Sequence, residues 1–110
     1  MIEETIAKIE AAIKRIEAGG SDKKAELVRL LAQLKREVGR LARTHGDQAR
    51  SIAGFAEAAA HEASRQDKAP ELQRLSLEGL SSSVKGFEAT HPGLVEAANG
   101  ICSLLARIGI

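Results

Sequence analysis

The chain has 110 residues, enough for a single domain, and its net charge is only +1. So small a charge excludes a strong global attraction to nucleic acid or to an anionic membrane. Hydrophobic residues make up 44% of the chain, yet only two are aromatic, and neither Trp nor Tyr occurs. A core of Ile, Leu, Val and Ala without strand-like alternation predicts an all-α protein.

The amino terminus and the cysteine content suggest a cellular location. Residues 1–4 are acidic where a signal peptide would be basic, and no apolar run approaches the length of a membrane span. The lone Cys102 permits no intrachain disulfide, which agrees with a reducing compartment. We therefore expect a cytoplasmic protein with no membrane partner.

The first predicted helix covers residues 2–17 and carries isoleucines at steps of four and three. These are Ile2, Ile6, Ile9, Ile13 and Ile16. The spacing is typical of a coiled coil. Gly19 and Gly20 supply a helix end, Ser21 a helix start, and so short a connection predicts an antiparallel hairpin with the next helix.

The second predicted helix organises the chain and runs from Ser21 to about Gln66. Its seam keeps the four-three spacing through Leu27, Leu31, Leu34, Val38, Leu41, His45, Gln48, Ile52, Phe55 and Ala59. Gly46 does not shift this phase, and a glycine inside a helix costs only about 1 kcal/mol. We therefore expect one helix of roughly 65–70 Å, bent at most at Gly46.

His45 and Gln48 are the polar members of this seam. A buried polar residue in a coiled coil usually fixes the register or the number of partners. A ligand or proton site is the alternative role.

The second half of the chain predicts two further helices. Residues 49–63 are rich in Ala and Gly, which lets a neighbouring helix approach closely. Pro70 opens a helix over 70–89, with Leu72 and Leu75 on one side of its buried face. The other side carries Leu77, Leu80, Val84 and Phe87, with small residues between the two sides. Pro92 opens the last helix. Its apolar stripe is Leu94, Ala98, Ile101, Leu105 and Ile108.

Together these elements predict a single domain over residues 1–110. We expect a coiled-coil-like hairpin (1–44) and an Ala/Gly-rich bundle part (45–110), about four helices with one long central helix. One elongated molecule would leave apolar stripes uncovered, so we expect a homodimer that forms a four-helix bundle over part of its length.

Histidine and glutamate spacings raise a metal-binding alternative. Glu88 and His91 match the Glu-x-x-His pattern of di-iron bundles, and Glu57 and His61, with Glu62 adjacent, share one helix face. Such sites need two Glu-x-x-His pairs and two more Glu, and one pair is present. Solvated side chains are therefore the favoured interpretation, and no metal or other cofactor is expected.

Arginines recur every seven residues along the long helix, at Arg29, Arg36, Arg43 and Arg50, with Arg40 between them. Residues 22–50 hold eight basic and four acidic side chains, a net charge of +4. This arginine stripe could bind nucleic acid or another anion, although it lacks interleaved aromatics and any groove-reading motif. A solvated face, or a partner for an acidic helix, is the favoured interpretation.

No catalytic motif is recognisable. Cys102 lies in an apolar stripe without a nearby cation, and Ser81–Ser83 has no His or acid in a known arrangement. We therefore expect no enzymatic activity and no catalytic residues.

Several short segments are distinctive in combination: Thr44-His45, Ser51–Phe55, His61–Ala63, Leu75–Leu80 and Gly86–Pro92. Together they resemble a small bacterial family described only as a domain of unknown function, over nearly the whole of residues 1–110. The resemblance implies a short, stand-alone bacterial cytoplasmic protein, and it implies no activity, cofactor or site residue. We expect a non-catalytic interaction or scaffold protein that acts through helix faces, with an unidentified protein partner possible beside the homodimer. The arginine stripe and the His/Glu metal site are the alternatives.

Overall fold

The computed structural model describes residues 2–16 and 21–108, which form five α-helices and no strand. The helices are α1 (Ile2–Arg15), α2 (Ser21–Leu41), α3 (Gly46–Ser64), α4 (Pro70–Ser83) and α5 (Pro92–Ile108). The all-α prediction is confirmed. The predicted turn at Gly19 and Gly20 and the side chains of Ser21 and Ile108 lie outside the described residues.

The prediction of one long central helix is wrong, because the chain turns at residues 42–45 and continues as a separate helix. The amide groups of Thr44 and His45 both bond to the carbonyl of Leu41, at 3.1 and 2.7 Å. His45 then leaves helical geometry, with φ −134° and ψ 63°, and α3 begins at Gly46. The molecule measures 37 × 26 × 25 Å, so the prediction of an elongated rod is wrong as well.

The turn places the apolar stripes of α2 and α3 against one core. Buried side chains from all five helices form a single cluster that includes Ile9, Leu34, Ile52, Leu80 and Leu105. A folded-back chain removes these stripes from water without a second molecule, which a straight rod could not do. The argument that uncovered stripes require a dimer therefore fails for this fold.

Helix partners differ in part from the predicted hairpin. The ammonium group of Lys24 donates to the carbonyl of Lys14 at 2.9 Å, and Ile2 borders the same hollow as Ala42, so α1 and α2 do run antiparallel. The main neighbour of α1 is nevertheless α3, whereas α2 packs chiefly against α5. The predicted packing of the third helix on the Ala-rich segment is confirmed, because α4 lies along α3.

His45 and Gln48 are exposed, so their predicted position in a buried seam is wrong. His45 belongs to the α2–α3 turn (residues 42–45), and Gln48 lies on the solvent side of the first turn of α3. None of the described helices is long and apolar enough to cross a membrane.

Candidate functional site

Helix α4 exposes two leucines to solvent and buries two polar residues. Leu72 and Leu75 are 49% and 48% exposed, whereas Gln73 is only 5% exposed and Ser76 is also buried. The prediction that Leu72 and Leu75 flank the buried face is therefore wrong. A single exposed leucine is common on protein surfaces and indicates nothing by itself. Two exposed leucines on a helix that buries polar residues instead indicate a surface that a partner could cover.

The buried polar groups of α4 are both hydrogen-bonded. The amide nitrogen Nε2 of Gln73 donates to the carbonyl of Leu105 at 2.9 Å. Leu105 lies in the last turn of α5, where carbonyl groups lack partners within the helix. The hydroxyl of Ser76 donates to the carbonyl of Gln73 at 2.8 Å. Gln73 thus anchors α4 to the end of α5 on the side where Leu80 is also buried, and Leu72 and Leu75 face outward.

Helix α3 extends the exposed apolar surface. Phe55, predicted in the seam, is 41% exposed and lies against Gly79 of α4. A Cβ atom at Gly79 would lie only 3.1 Å from Cγ of Phe55, so the glycine is what permits this contact. We call the surface the α3–α4 face; it comprises Phe55, Ala58, Leu72, Leu75, Gly79 and Ser82.

An open hollow of about 430 Å³ lies at one end of the α3–α4 face. Its lining residues are Asp47, Gln48, Ser51, Phe55, Gly79, Ser82 and Ser83. Most of these side chains are small or uncharged, so the hollow has room for an apolar side chain from a partner.

Charged residues border the face on α4. The guanidinium of Arg74 binds the carboxylates of both Glu71 and Glu78. The hydrogen bond from Arg74 lowers the pKa of Glu71, and the bonds to Glu71 and Glu78 raise the pKa of Arg74. Lys85 follows α4 and is exposed, with no ion-pair partner for its ammonium group among the described residues.

The arginine stripe is divided by the α2–α3 turn and partly neutralised. Arg29 pairs with Glu26, Arg50 with Asp47 at 2.9 Å, and Arg40 with Glu37 at 3.7 Å. The remaining members, Arg36 and Arg43, are exposed and have no ion-pair partner within residues 2–16 and 21–108.

Two of the three histidines meet at one end of the molecule. The rings of His45, Phe87 and His91 make edge-to-face contacts, with centroids 5.5–6.4 Å apart. Each histidine Nδ1 bonds to the hydroxyl of the preceding threonine, Thr44 at 2.8 Å and Thr90 at 3.0 Å. The contact joins the α2–α3 turn to the α4–α5 turn (residues 84–91). The repeated Thr-His dipeptide was the signal that sequence reasoning missed.

The residues of the metal alternative do not converge. Glu88 and His91 lie in the α4–α5 turn rather than on one helix face, and the Glu88 carboxylate accepts a bond from the amide of Gly86 at 2.8 Å. Glu62 binds Arg65 at 2.9 Å, beside an exposed His61. The described part of the chain holds no group of three or more His, Cys, Asp or Glu side chains that could bind a metal ion.

Cys102 is a partly buried thiol. Burial raises its pKa, and its Sγ donates to the carbonyl of Leu77 at 3.5 Å. It therefore contributes to the contact between α4 and α5 as a protonated, weakly polar side chain.

Comparison with known proteins gives one match. No curated protein and no solved structure is similar enough to match. A family model matches residues 27–110, so the expected resemblance over the whole chain is shown for this range, from the second turn of α2 onward. The chain belongs to the family described as Domain of unknown function (DUF4404).

Proposed function

We propose that the chain is a non-catalytic interaction protein that binds its partner through the α3–α4 face. The observation that carries the proposal is the orientation of α4, with Gln73 and Ser76 inside and Leu72 and Leu75 outside. Full burial of a leucine side chain contributes about 1.5–3 kcal/mol, so each half-exposed leucine leaves roughly 1 kcal/mol for a partner to gain.

The hydroxyl groups of Ser76 and Ser83 and the thiol of Cys102 are engaged with backbone carbonyls, which supports a non-catalytic role. Ser83 donates to the carbonyl of Leu80 at 2.7 Å, as Ser76 does to that of Gln73. Burial keeps Cys102 protonated near neutral pH, whereas a nucleophilic cysteine needs a lowered pKa. In this proposal the protein is cytoplasmic, which its single cysteine supports.

The partner of the face is either a second copy of the chain, as the sequence led us to expect, or a helix of another protein. Both would bury the same leucines. The homodimer is therefore retained as a proposal, now resting on the exposed α4 residues rather than on uncovered core stripes.

A photo-cross-linking residue tests whether the face is occupied. We would place benzoylphenylalanine at Leu75 and, as a matched control, at Val28, which is similarly exposed but lies on α2. Adducts at position 75 and none at position 28, in cells and at native abundance, are the expected result. Equal adduct yields at both positions, or none at either, would contradict the proposal.

Anion binding by the arginine stripe is the second candidate, favoured by the unpaired Arg36 and Arg43. Binding of heparin or mixed-sequence single-stranded DNA should then weaken with added salt. Replacing both Arg36 and Arg43 by Gln should weaken this binding. The same change at the paired Arg29 and Arg50 should have less effect. Absence of measurable binding at low salt would exclude this candidate.

A further inference from the structure

The exposed stripe of α4 is complementary to itself. Leu72, Leu75, Gly79 and Ser82 follow one another at steps of three, four and three, so they lie along one line of the helix. Two large residues thus precede two small ones. Leu72 and Ser82 are equally distant from position 77, and so are Leu75 and Gly79.

This symmetry matters when two copies of α4 pack antiparallel. In such a pair, residues at equal distances on opposite sides of the two-fold axis face each other. Leu75 of one copy would then face Gly79 of the other, and with it the Phe55 ring that covers this glycine. Leu72 would face Ser82, at the open hollow of the other copy. Leu72 thus meets the small Ser82, and Leu75 meets the Phe55 ring that lies over Gly79, each twice across the axis.

The charged border of the stripe fits the same arrangement. With the axis at position 77, Glu71 faces position 83 of the other copy, two residues from Lys85, so these two long charged side chains lie within reach of each other. Opposite charges at the flanking positions of paired helices favour one orientation. The two Glu78 side chains would approach each other beside the axis, where the Arg74 already bound to each Glu78 offsets the repulsion.

We propose that a second copy of the chain occupies the α3–α4 face, with the two α4 helices antiparallel about a two-fold axis near position 77. This inference rests on the proposed function and names the partner of that surface. Each α4 packs along the α3–α4 face of the other copy and covers Phe55 and Ala58. The two α3 and two α4 helices then form a four-helix bundle across the interface.

Sedimentation equilibrium from micromolar to millimolar concentration tests the association. The apparent mass should rise from 11.7 kDa towards twice that value. Leu75→Lys should raise the dissociation constant at least tenfold, and Leu72→Gln should act in the same direction. Val28→Lys, on α2, which does not pack against α4, should leave the dissociation constant unchanged. Leu75 and Leu72 are surface positions, so circular dichroism should show both variants folded.

Cysteine pairs test the register, in a Cys102→Ala background. Leu72→Cys and Ser82→Cys chains should form a mixed disulfide when combined, and neither should cross-link to itself. Ten residues of helix span about 15 Å, well beyond the Cα separation of about 7 Å at which a disulfide can form. Self-linking of Leu72→Cys would indicate parallel helices and overturn the arrangement.

A chain that stays monomeric at millimolar concentration would overturn the inference. If position 75 then captures a different protein in the photo-cross-linking experiment, the proposed function stands without the homodimer. If position 75 captures no protein either, the homodimer and the proposed function are both wrong.

Discussion

Replacing Gly79 by alanine probes the contact between α3 and α4. The new Cβ would lie 3.1 Å from Cγ of Phe55 and closer still to two other ring atoms, so the ring must move. Forcing an extra carbon into a packed contact costs about 1–3 kcal/mol. Alanine in place of glycine inside a helix stabilises the helix by about 1 kcal/mol. Gly79→Ala should therefore lower the free energy of unfolding by roughly 1 kcal/mol, the difference between these two effects.

Two controls separate the clash from the helix effect. Gly54 lies inside α3, and a Cβ there would meet no atom within 4 Å, so Gly54→Ala should stabilise the protein by about 0.5–1 kcal/mol. In a Phe55→Ala background, Gly79→Ala should become stabilising by a similar amount, because the ring is gone. The sign of the effect of Gly79→Ala therefore reverses with the residue at position 55.

Urea unfolding, at a protein concentration that sedimentation shows to be monomeric, measures the free energies of the wild type, the three single variants and the double variant. Linear extrapolation resolves differences of this size when the slopes agree between variants. If Gly79→Ala stabilises the wild-type chain as much as the Phe55→Ala chain, the ring does not lie over Gly79 and the described α3–α4 face is wrong.

Three other predictions concern single positions. Gln73→Leu should lower the free energy of unfolding by about 1–3 kcal/mol, because the buried carbonyl of Leu105 loses its donor; an unchanged urea midpoint would contradict the anchoring role. Gly86→Ala should cost about 1–2 kcal/mol, since Gly86 has φ +96°, and a stabilised variant would exclude that backbone geometry. Burial raises the pKa of Cys102 above its ordinary value of 9.0, so the fold favours the protonated thiol. Stability should therefore fall as pH rises above 9.0 towards the raised pKa, and Cys102→Ala should weaken this dependence in thermal melts at pH 8–10. An identical pH dependence in both proteins would refute this cause.

Most of the core could be predicted from the sequence, because a helix buries residues at a fixed local period. The spacing correctly predicts the buried residues Ile6, Ile9 and Ile13 of α1. It also predicts the buried seam of α2, which is Leu27, Leu31, Leu34, Val38 and Leu41. The start of α5 at Pro92 was also readable, since proline favours the first turn of a helix and disfavours helical geometry before it.

The candidate surface could not be predicted in the same way. The apolar pattern of α4 predicted that Leu72 and Leu75 flank its buried face, and it did not predict that Gln73 is buried. The rotation of α4 brings Gln73 into a hydrogen bond with Leu105, 32 residues further along the chain, and a local pattern contains no information about such a contact.

The sequence by itself determined that this chain is helical and which stripes of α1, α2 and α5 are apolar, because both follow from interactions within a few residues. Only the tertiary structure decided that the chain turns at residues 42–45. The four-three phase that runs through Gly46 is equally compatible with a straight helix and with two helices folded onto one core. Burial of both stripes against α1, α4 and α5 favours the turn, and that gain exists only when distant parts of the chain meet.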